Sequence, residues 1–320
     1  MTTLYPFTFR PIFKERVWGG RNLERLYHKP LPPGPPIGES WEISDRPGDV
    51  SVIANGPLAG QDLRWLMERH EPELLGPVKP LNGRFPLLCK ILDAQDKLSL
   101  QVHPPPAVAA QLKGEPKTEM WYIADATPEA DLYVGLKRGV TRAEFKKRVA
   151  DGSVATCFHR VPVKAGDAMF LPSGRVHAIG AGNVLFEIQQ NSDTTYRVYD
   201  WGRPRELHLA QSLASIDFAD FEPRLLQTQY SRNEVIKTRY LVEDPLFTVN
   251  ACQVKRGQRF YLRNDAPTIL ALLRGRLIVI YEGQELRVGA GGFVLLPAVL
   301  GRVTLTAETQ VEFLQAQPGR

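Results

Sequence analysis

Apolar residues along this chain come in short runs, and proline or glycine interrupts nearly every run. The sequence contains 26 glycines and 26 prolines, which mark turns between short strands rather than long helices. Residues 183–190 give the clearest strand pattern, because Val184, Phe186 and Ile188 share one face while Glu187 lies on the other. The pattern predicts a mainly β protein, built as a sandwich or barrel.

Other strands are predicted before and after Arg232. After this residue the sequence consists of short strands separated by turns. The predicted strands before and after Arg232 cover Phe85–Leu92, Met120–Ala124, Asp131–Val134, Ala168–Leu171, Leu246–Val254, Thr268–Leu273, Leu277–Tyr281, Phe293–Pro297 and Val311–Leu314. We therefore place a domain boundary near residue 235. This gives a larger domain at 1–235 and a smaller β domain at 236–320.

Helix signals are few. One short amphipathic helix is predicted over Leu63–His70, ahead of Pro72. A second is predicted over Thr141–Asp151, where the Thr141 side chain can cap the first turn and Gly152 ends the run. Both helices read as additions to a β framework.

A short motif occurs twice, with five residues between its glycine and its proline. The two copies are Gly166–Pro172 and Gly291–Pro297. Residues leading to His177 follow the first copy, whereas no histidine follows the second. If both copies are the same hairpin, one working site is expected, and it lies in the first domain.

The stretch Leu98–His103 carries the first candidate site residues. In a strand, Ser99, Gln101 and His103 share one face, and burying such a polar face is costly without a purpose. The face is therefore a candidate lining of a polar cavity. An exposed sheet face explains the same pattern.

Two further segments offer ligand or binding groups. His177 follows a proline and glycine turn, which can place an imidazole at a barrel mouth or leave it bonded to backbone. Glu119 begins an aromatic strand and could bind metal, with Lys117 beside it for substrate, or form a strand-edge ion pair. The polar string 189–203 contains Arg197, which could hold an anionic oxygen or belong to an ordinary solvated loop.

Bulk composition excludes several classes of protein. The 320 residues carry 40 Lys and Arg against 35 Asp and Glu, a net charge of +5 without the concentrated stripe that nucleic-acid binding requires. The three cysteines are far apart and read as buried thiols. The N-terminus does not read as a signal peptide, and no apolar run is long enough to span a bilayer. We expect a cytoplasmic protein without nucleic-acid or membrane partners.

Seven blocks together resemble type I phosphomannose isomerases, most closely the short bacterial form. The blocks are Gly38–Ser44, Ala54–Gly60, Arg84–Ala94, Leu98–Pro104, Lys117–Tyr122, Pro172–Gly182 and Glu187–Asp200. They occur in order between Phe7 and His208. Pro105 and Pro106 depart from the family, which has acidic or Asn residues after the His-Pro pair, so that loop is expected to differ in shape.

The resemblance implies two cupin-type (jelly-roll) β domains with a few short helices and an active site in the first. It also implies a hexose 6-phosphate as substrate, interconversion of mannose 6-phosphate and fructose 6-phosphate, and a monomer or weak homo-oligomer. One Zn²⁺ per chain is implied, held by Gln101, His103, Glu119 and His177. The sugar-phosphate pocket is implied to contain Ser99, Lys90, Lys117 and Arg197, of which Arg197 and Lys117 are the catalytic candidates.

The chemistry expected of such a site is proton transfer between C1 and C2 through an enediol(ate), with the metal as Lewis acid. The base stays open among Lys117, a zinc-bound water and a carboxylate of residues 187–200. Two other functions remain. Two histidines and a carboxylate also suit Fe(II) in a cupin oxygenase, and a sugar-binding cupin can keep the fold without catalysis.

Overall fold

A computed structural model of the chain describes residues 3–232 and 234–319. The strands before residue 200 are β1 (Ile12–Gly20), β2 (Ile37–Ile43), β3 (Asp45–Arg46), β4 (Asp49–Val50), β5 (Leu87–Ala94), β6 (Leu100–Val102), β7 (Glu119–Ala126), β8 (Asp131–Leu136), β9 (Phe158–Pro162), β10 (Ala168–Leu171), β11 (His177–Ile179), β12 (Asn183–Gln190) and β13 (Tyr196–Tyr199). The later strands are β14 (Ile236–Glu243), β15 (Phe247–Val254), β16 (Arg259–Asn264), β17 (Thr268–Arg274), β18 (Arg276–Tyr281), β19 (Gln284–Gly289), β20 (Phe293–Leu296), β21 (Gly301–Ala307) and β22 (Val311–Pro318).

The first group of strands forms a jelly roll of two facing sheets. One sheet has the order β1-β2-β5-β12-β7-β10, and the other has the order β13-β6-β11-β8-β9. Side chains from both sheets, among them Leu92, Trp121, Leu132 and Ile179, belong to one buried apolar cluster. The two sheets therefore pack face to face and enclose the interior of the roll.

The second group repeats the same topology. Its sheets have the orders β14-β15-β22-β17-β20 and β16-β21-β18-β19, so adding ten to strands β5–β12 reproduces strands β15–β22. The repeated motif fits this correspondence, because its copies lead into β10 and β20 at equivalent sheet edges. The predicted fold class, two cupin-type rolls, is confirmed. The division at residue 235 into separate domains stays a prediction.

The helices are α1 (Asn22–Tyr27), α2 (Leu63–Leu75), α3 (Pro106–Ala109), α4 (Arg142–Ala150) and α5 (Leu209–Ser215). The prediction for α4 is confirmed, since the Thr141 hydroxyl accepts a hydrogen bond from the Glu144 amide. Helix α2 runs beyond the predicted end at His70. Its backbone leaves the helical region at His70, and Pro72 then sits in the first turn of a second helical piece, where a missing N–H costs little.

The two rolls share an apolar core. Val184, Phe186 and Ile188 of β12 lie in one cluster with Val249, Ile269 and Leu314 of the second roll, and many other buried residues. The Phe186 ring stacks on Phe293 with centroids 5.6 Å apart. Because the second roll covers one face of the β5–β12 sheet, only the opposite face is left to form a site.

The interior of the second roll is filled by apolar side chains, including Phe260, Leu277 and Phe313. Cys89, Cys157 and Cys252 are free and buried, as predicted. Among the helices of residues 3–232 and 234–319, none is both long and apolar enough to cross a membrane.

Candidate active site

A cavity of about 400 Å³ lies between the two sheets of the first roll. Polar and charged side chains dominate its wall, accompanied by two tryptophans and a few aliphatic residues. The lining residues are Arg16, Trp18, Glu39, Lys90, Leu92, Leu98, Ser99, Gln101, Lys117, Trp121, Ile179, Glu187, Asp193, Thr195, Arg197 and Arg205.

Three buried side chains converge beside this cavity and form a candidate metal centre. Glu119 begins β7 in the six-stranded sheet, His177 begins β11 in the opposite sheet, and His103 follows the end of β6. Their potential ligand atoms all lie within 4.8 Å of one another. The Glu119 carboxylate is 3.3 Å from His177 Nε2 and 3.6 Å from His103 Nε2. The centre is thus assembled across the two sheets from distant stretches of chain.

Backbone carbonyls fix the orientation of both imidazoles. His103 Nδ1 lies 2.8 Å from the Thr194 carbonyl oxygen, and His177 Nδ1 lies 3.0 Å from that of Arg175. A carbonyl can only accept, so each Nδ1 carries the proton and each Nε2 presents a lone pair toward Glu119. Histidines that bind a metal through one ring nitrogen generally donate the N–H of the other nitrogen to an acceptor such as a backbone carbonyl.

Gln101 faces the same point from β6, where it pairs in register with His177. Its side-chain nitrogen lies 3.3 Å from His177 Nε2, and its oxygen accepts a hydrogen bond from the Ser99 hydroxyl at 3.4 Å. A half-turn of the amide exchanges nitrogen and oxygen, which is required for Gln101 to present its oxygen to a cation.

The Glu119 carboxylate is fully buried, and neither of its oxygens accepts a hydrogen bond from residues 3–232 or 234–319. Its charge is met instead by Lys117, whose Nζ lies 2.7 Å from Oε2 in an ion pair. Burial alone would raise the pKa of Glu119, but the Lys117 ammonium holds this pKa well below its usual value. The carboxylate is therefore ionised and available to a cation.

The two histidines are neutral at physiological pH. Burial, followed by the charge of Lys117, lowers the pKa of His103 from 6.5 to about 4. Burial also lowers the pKa of His177. Two neutral imidazoles and one carboxylate are a donor set found in catalytic zinc sites.

The spacing of these donors fits a tetrahedral metal. Ligands bound at 2.0–2.1 Å to a tetrahedral ion are about 3.3–3.4 Å apart. The separations between donors, 3.3 Å from His177 Nε2 to Glu119 Oε1 and 3.6 Å from His103 Nε2 to Glu119 Oε2, are close to this value. The residues present therefore fit a divalent cation such as zinc.

A row of alternating charges crosses the cavity floor away from the metal centre. Lys90 Nζ lies 3.1 Å from Glu187 Oε1 and 3.8 Å from Glu39 Oε2. Glu39 in turn pairs with Arg16 Nε at 2.7 Å. Trp121 donates its indole N–H to Glu187 at 2.9 Å, and its ring contacts His177 edge-on. Trp121 therefore links Glu187 of this row to His177 of the candidate metal centre.

Arg197 lies on β13, opposite Gln101 in register. One terminal nitrogen donates to the Glu206 carbonyl at 2.7 Å, while Nε is buried without a hydrogen-bond partner among the residues that the structure describes. Burial first, and then the charge of Arg205, lowers the pKa of Arg197. The unpaired Nε–H of Arg197 is therefore available to donate a hydrogen bond to an anionic group.

The structure brings together the site residues that the sequence singled out. Gln101, His103, Glu119 and His177 lie around one point, and Ser99, Lys90, Lys117 and Arg197 line the adjoining cavity. Their roles as ligands and substrate contacts stay predictions. Arg16, Trp18, Glu39, Trp121 and Arg205 also line the cavity and were not predicted from the sequence.

Some of these missed residues had a visible signal. Glu39, Ser40 and Glu42 stand between Ile37 and Ile43 in β2, so polar groups within a strand could have been noted there. Arg205 had none, because one arginine in a polar string cannot be assigned to a cavity without its fold.

Comparison with known proteins identifies the relatives of this chain. The family model for the phosphomannose isomerase type I catalytic domain matches residues 7–148. Mannose-6-phosphate isomerase from Streptococcus mutans serotype c is 37% identical over 302 residues, which cover 91% of this chain and 92% of that protein. Mannose-6-phosphate isomerase ManA from Bacillus subtilis is 36% identical over 317 residues, covering 95% and 96%. The crystal structure of mannose 6-phosphate isomerase from Bacillus subtilis superposes with a TM-score of 0.90 at 30% identity, covering 98% of this chain and 100% of that one.

Proposed function

The chain belongs to the type I phosphomannose isomerase family, and from this premise we propose that it interconverts mannose 6-phosphate and fructose 6-phosphate with one zinc ion per chain. The convergence of His103, Glu119 and His177 beside a cavity lined by cationic side chains is the observation that carries the proposal. The two relatives at 36–37% identity are both named mannose-6-phosphate isomerase. A cavity of about 400 Å³ is large enough for a hexose phosphate.

Zinc is the metal that the donor set favours. His103, His177, Glu119 and a turned Gln101 amide would supply two nitrogens and two oxygens, only one of which carries a full charge. A zinc ion held there retains net positive charge and supplies Lewis acidity to the sugar oxygens at C1 and C2. The neutral fourth donor and the cations around the cavity favour this over an iron oxygenase site.

We assign the proton transfer between C1 and C2 to Glu187. It is buried in the cavity wall, where the Trp121 indole donates to Oε2 and Lys90 Nζ lies 3.1 Å from Oε1. A carboxylate so held can accept a proton from one carbon and return it to the other. Lys117 is an ammonium paired with Glu119 and lacks a lone pair. Of the other carboxylates in residues 187–200, Asp193 is exposed and Asp200 is held by Arg203 and Arg205, so Glu187 is the one we favour.

The remaining cavity residues bind and orient the sugar phosphate. Arg197 stabilises the negative charge that develops on the sugar oxygens, because it lies opposite Gln101 and has an unused donor. Ser99 and Lys90 contact hydroxyl or phosphate oxygens from the floor of the cavity. Lys117 compensates the buried Glu119 charge beside the reacting carbons.

A turnover assay on mannose 6-phosphate, run before and after chelation, tests this function. We expect fructose 6-phosphate to form, activity to disappear with the metal, and stoichiometric zinc to restore it. Absence of turnover in zinc-loaded protein that still binds the sugar phosphate would favour a sugar-binding cupin. Oxygen uptake with iron, without isomerisation, would favour an oxygenase.

We further propose that the protein acts in the cytoplasm as a monomer or weak homo-oligomer. All three cysteines are free thiols buried in the fold, which suits a reducing compartment. Sedimentation at micromolar concentration tests the oligomeric state, and a stable tetramer would contradict the proposal.

A further inference from the structure

The turn at residues 172–176, which joins β10 to β11, contacts two segments that carry candidate metal ligands. The Gly174 amide donates a hydrogen bond to the backbone carbonyl of His103 at 2.9 Å. The Ser173 amide donates at 3.2 Å to the hydroxyl of Thr118, which immediately precedes the ligand carboxylate in the chain. The position of this turn is therefore coupled to two of the three candidate ligands.

The same turn supplies the carbonyl that orients the third ligand. The Arg175 carbonyl oxygen lies 3.0 Å from Nδ1 of His177. Because β11 begins at His177, this carbonyl belongs to the turn and not to the strand. The Trp121 ring contacts the imidazole edge-on, but an indole offers no lone pair to an Nδ1–H group. The orientation of His177 therefore depends on where the turn holds its carbonyl.

The side chain of Arg175 attaches this turn to two other segments. Its Nε and Nη2 donate to the two carboxylate oxygens of Asp220, each at 2.8 Å, and its Nη1 donates to the Phe170 carbonyl at 2.7 Å. The side chains of Arg175 and Asp220 are each only 16% exposed. A guanidinium bound at two points to a carboxylate is fixed in position and in plane. The turn thus has a rigid support outside the substrate cavity.

Asp220 is itself fastened to the first roll. Its backbone carbonyl accepts a hydrogen bond from the amide of Leu136, the last residue of β8, at 3.0 Å. The nearby Asp217 amide donates to the Gly174 carbonyl at 2.9 Å, which joins this segment to the turn a second time. Among residues 3–232 and 234–319, Arg175 is the one cation within ion-pair distance of the Asp220 carboxylate. The pair is therefore a dedicated contact between the turn and a fixed segment.

We propose that Arg175, bound to Asp220, is a positioning residue that holds the 172–176 turn so that its carbonyl orients His177 toward the metal. The inference rests on the proposed function for the presence of the metal and on the contacts of Arg175 for the geometry. Arg175 does not line the cavity, so its side chain acts through His177 and not on the substrate. Loss of such an outer partner typically weakens metal binding by about 10–100-fold.

The test compares Arg175→Gln with the matched control Arg239→Gln. Arg239 also donates from all three guanidinium nitrogens, to Thr228 Oγ1 and to the carbonyls of Gly166 and Leu226, but no candidate ligand lies on those segments. The zinc Kd is measured by competition with a chromophoric chelator. We expect Arg175→Gln to raise this Kd by about tenfold or more, and Arg239→Gln to keep it within about threefold of wild type. Urea unfolding of the metal-free proteins measures how much stability each variant loses.

A second measurement is made without metal. Proton–nitrogen NMR of the metal-free protein reports which ring nitrogen of His177 carries the proton. We expect the Nδ1–H tautomer in wild type and in Arg239→Gln, and a mixture of tautomers in Arg175→Gln. A merely structural role of Arg175 would lower stability without changing the tautomer. Asp220→Asn covers a failure of Arg175→Gln to fold, because it removes the charged partner and should change the zinc Kd in the same direction.

A zinc Kd within about threefold of wild type in both Arg175→Gln and Asp220→Asn would overturn the assignment, as would an equal rise in Arg239→Gln. That result in a protein that isomerises mannose 6-phosphate would leave the proposed function standing. Weakened zinc binding in Arg175→Gln, together with wild-type protein that binds zinc but does not isomerise, would refute the proposed function and support the positioning role. If wild-type protein takes up no zinc, the proposed function fails, and the tautomer of His177 decides the role of Arg175.

Discussion

At the scale of single residues, the site depends on which nitrogen of each imidazole carries the proton. The carbonyls of Thr194 and Arg175 select the Nδ1–H tautomer of His103 and His177, and the ionised Glu119 faces both Nε2 atoms. The same carbonyl contacts orient the rings before any metal arrives, so little reorganisation is needed on binding. The segment that carries the Thr194 carbonyl is itself anchored, because the buried Gln189 amide donates to the Gln190 and Ser192 carbonyls.

Glu187 is the residue whose replacement separates chemistry from binding. Glu187→Gln keeps the size of the side chain but replaces the carboxylate with an amide, which is too weak a base to accept the proton in the proposed reaction. We expect kcat to fall by about 10²–10⁴-fold, the range typical of a lost general base. Zinc content by mass spectrometry and KM should stay within about threefold of wild type, which serves as the control for folding. A kcat within about threefold of wild type would remove Glu187 from the chemistry.

At the scale of elements, four neighbouring strands each contribute one charge to the cavity floor. Arg16 from β1, Glu39 from β2, Lys90 from β5 and Glu187 from β12 alternate in sign. Alternation lets each buried charge find an opposite partner on the next strand, which reduces the cost of removing these groups from water. The row is thus a product of sheet order rather than of any one segment.

We expect Glu39 to make the stability contributed by this row of charges depend on pH. Burial raises the pKa of Glu39, but Lys90 and Arg16 outweigh it, and the net pKa is below 4.5. A carboxyl whose pKa is lower in the folded state stabilises the protein above its unfolded pKa and loses this contribution as pH falls. We expect Glu39→Gln to cost about 3 kcal/mol in the free energy of unfolding near neutral pH, and less as the pH falls below about 4.5.

Urea unfolding of wild type and Glu39→Gln at several pH values between about 7 and about 3.5 measures this difference. If the difference in the free energy of unfolding stays constant or grows on acidification, the ionised form of Glu39 does not stabilise the folded protein.

Local signals in the sequence predicted helices and strands well. Contacts between residues on different strands could not be predicted from them. The cap at Thr141 and the alternation in β12 depend on adjacent residues, so α4 and the strand face with Glu187 were predicted correctly. The likeness to a family gave the ligand set, because Glu119 and His177 are 58 positions apart in the chain and nothing local connects them. Arg16 and Arg205 were missed, since their place in the cavity depends on strand order and on the return of a loop.

At the scale of the whole molecule, two rolls of the same topology have diverged in their interiors. The first keeps a polar cavity with its candidate metal centre, whereas apolar side chains such as Phe260 and Phe313 fill the second. The second roll instead covers the back of the sheet that carries Glu119, Lys90 and Glu187. It thereby supports the strands on which the site depends.

The stacked pair of Phe186 and Phe293 tests this support. Phe186 is fully buried and Phe293 almost so, with their rings 5.6 Å apart across the interface of the two rolls. We expect each change to alanine to lower the free energy of unfolding by about 3–5 kcal/mol, in a single unfolding transition. The double variant should fall short of additivity by about 0.5–1.5 kcal/mol. Two separate transitions, or strict additivity, would show that the rolls are not coupled through this pair.

Anomalous diffraction at the zinc edge, from crystals of the zinc-loaded protein, tests the central claim most directly. The account predicts one strong peak per chain, about 2.0–2.2 Å from Nε2 of His103, Nε2 of His177 and a carboxylate oxygen of Glu119. The Gln101 amide should have turned its oxygen toward the same peak. A peak at another place in the molecule, or coordination through Nδ1 of either histidine, would contradict the account.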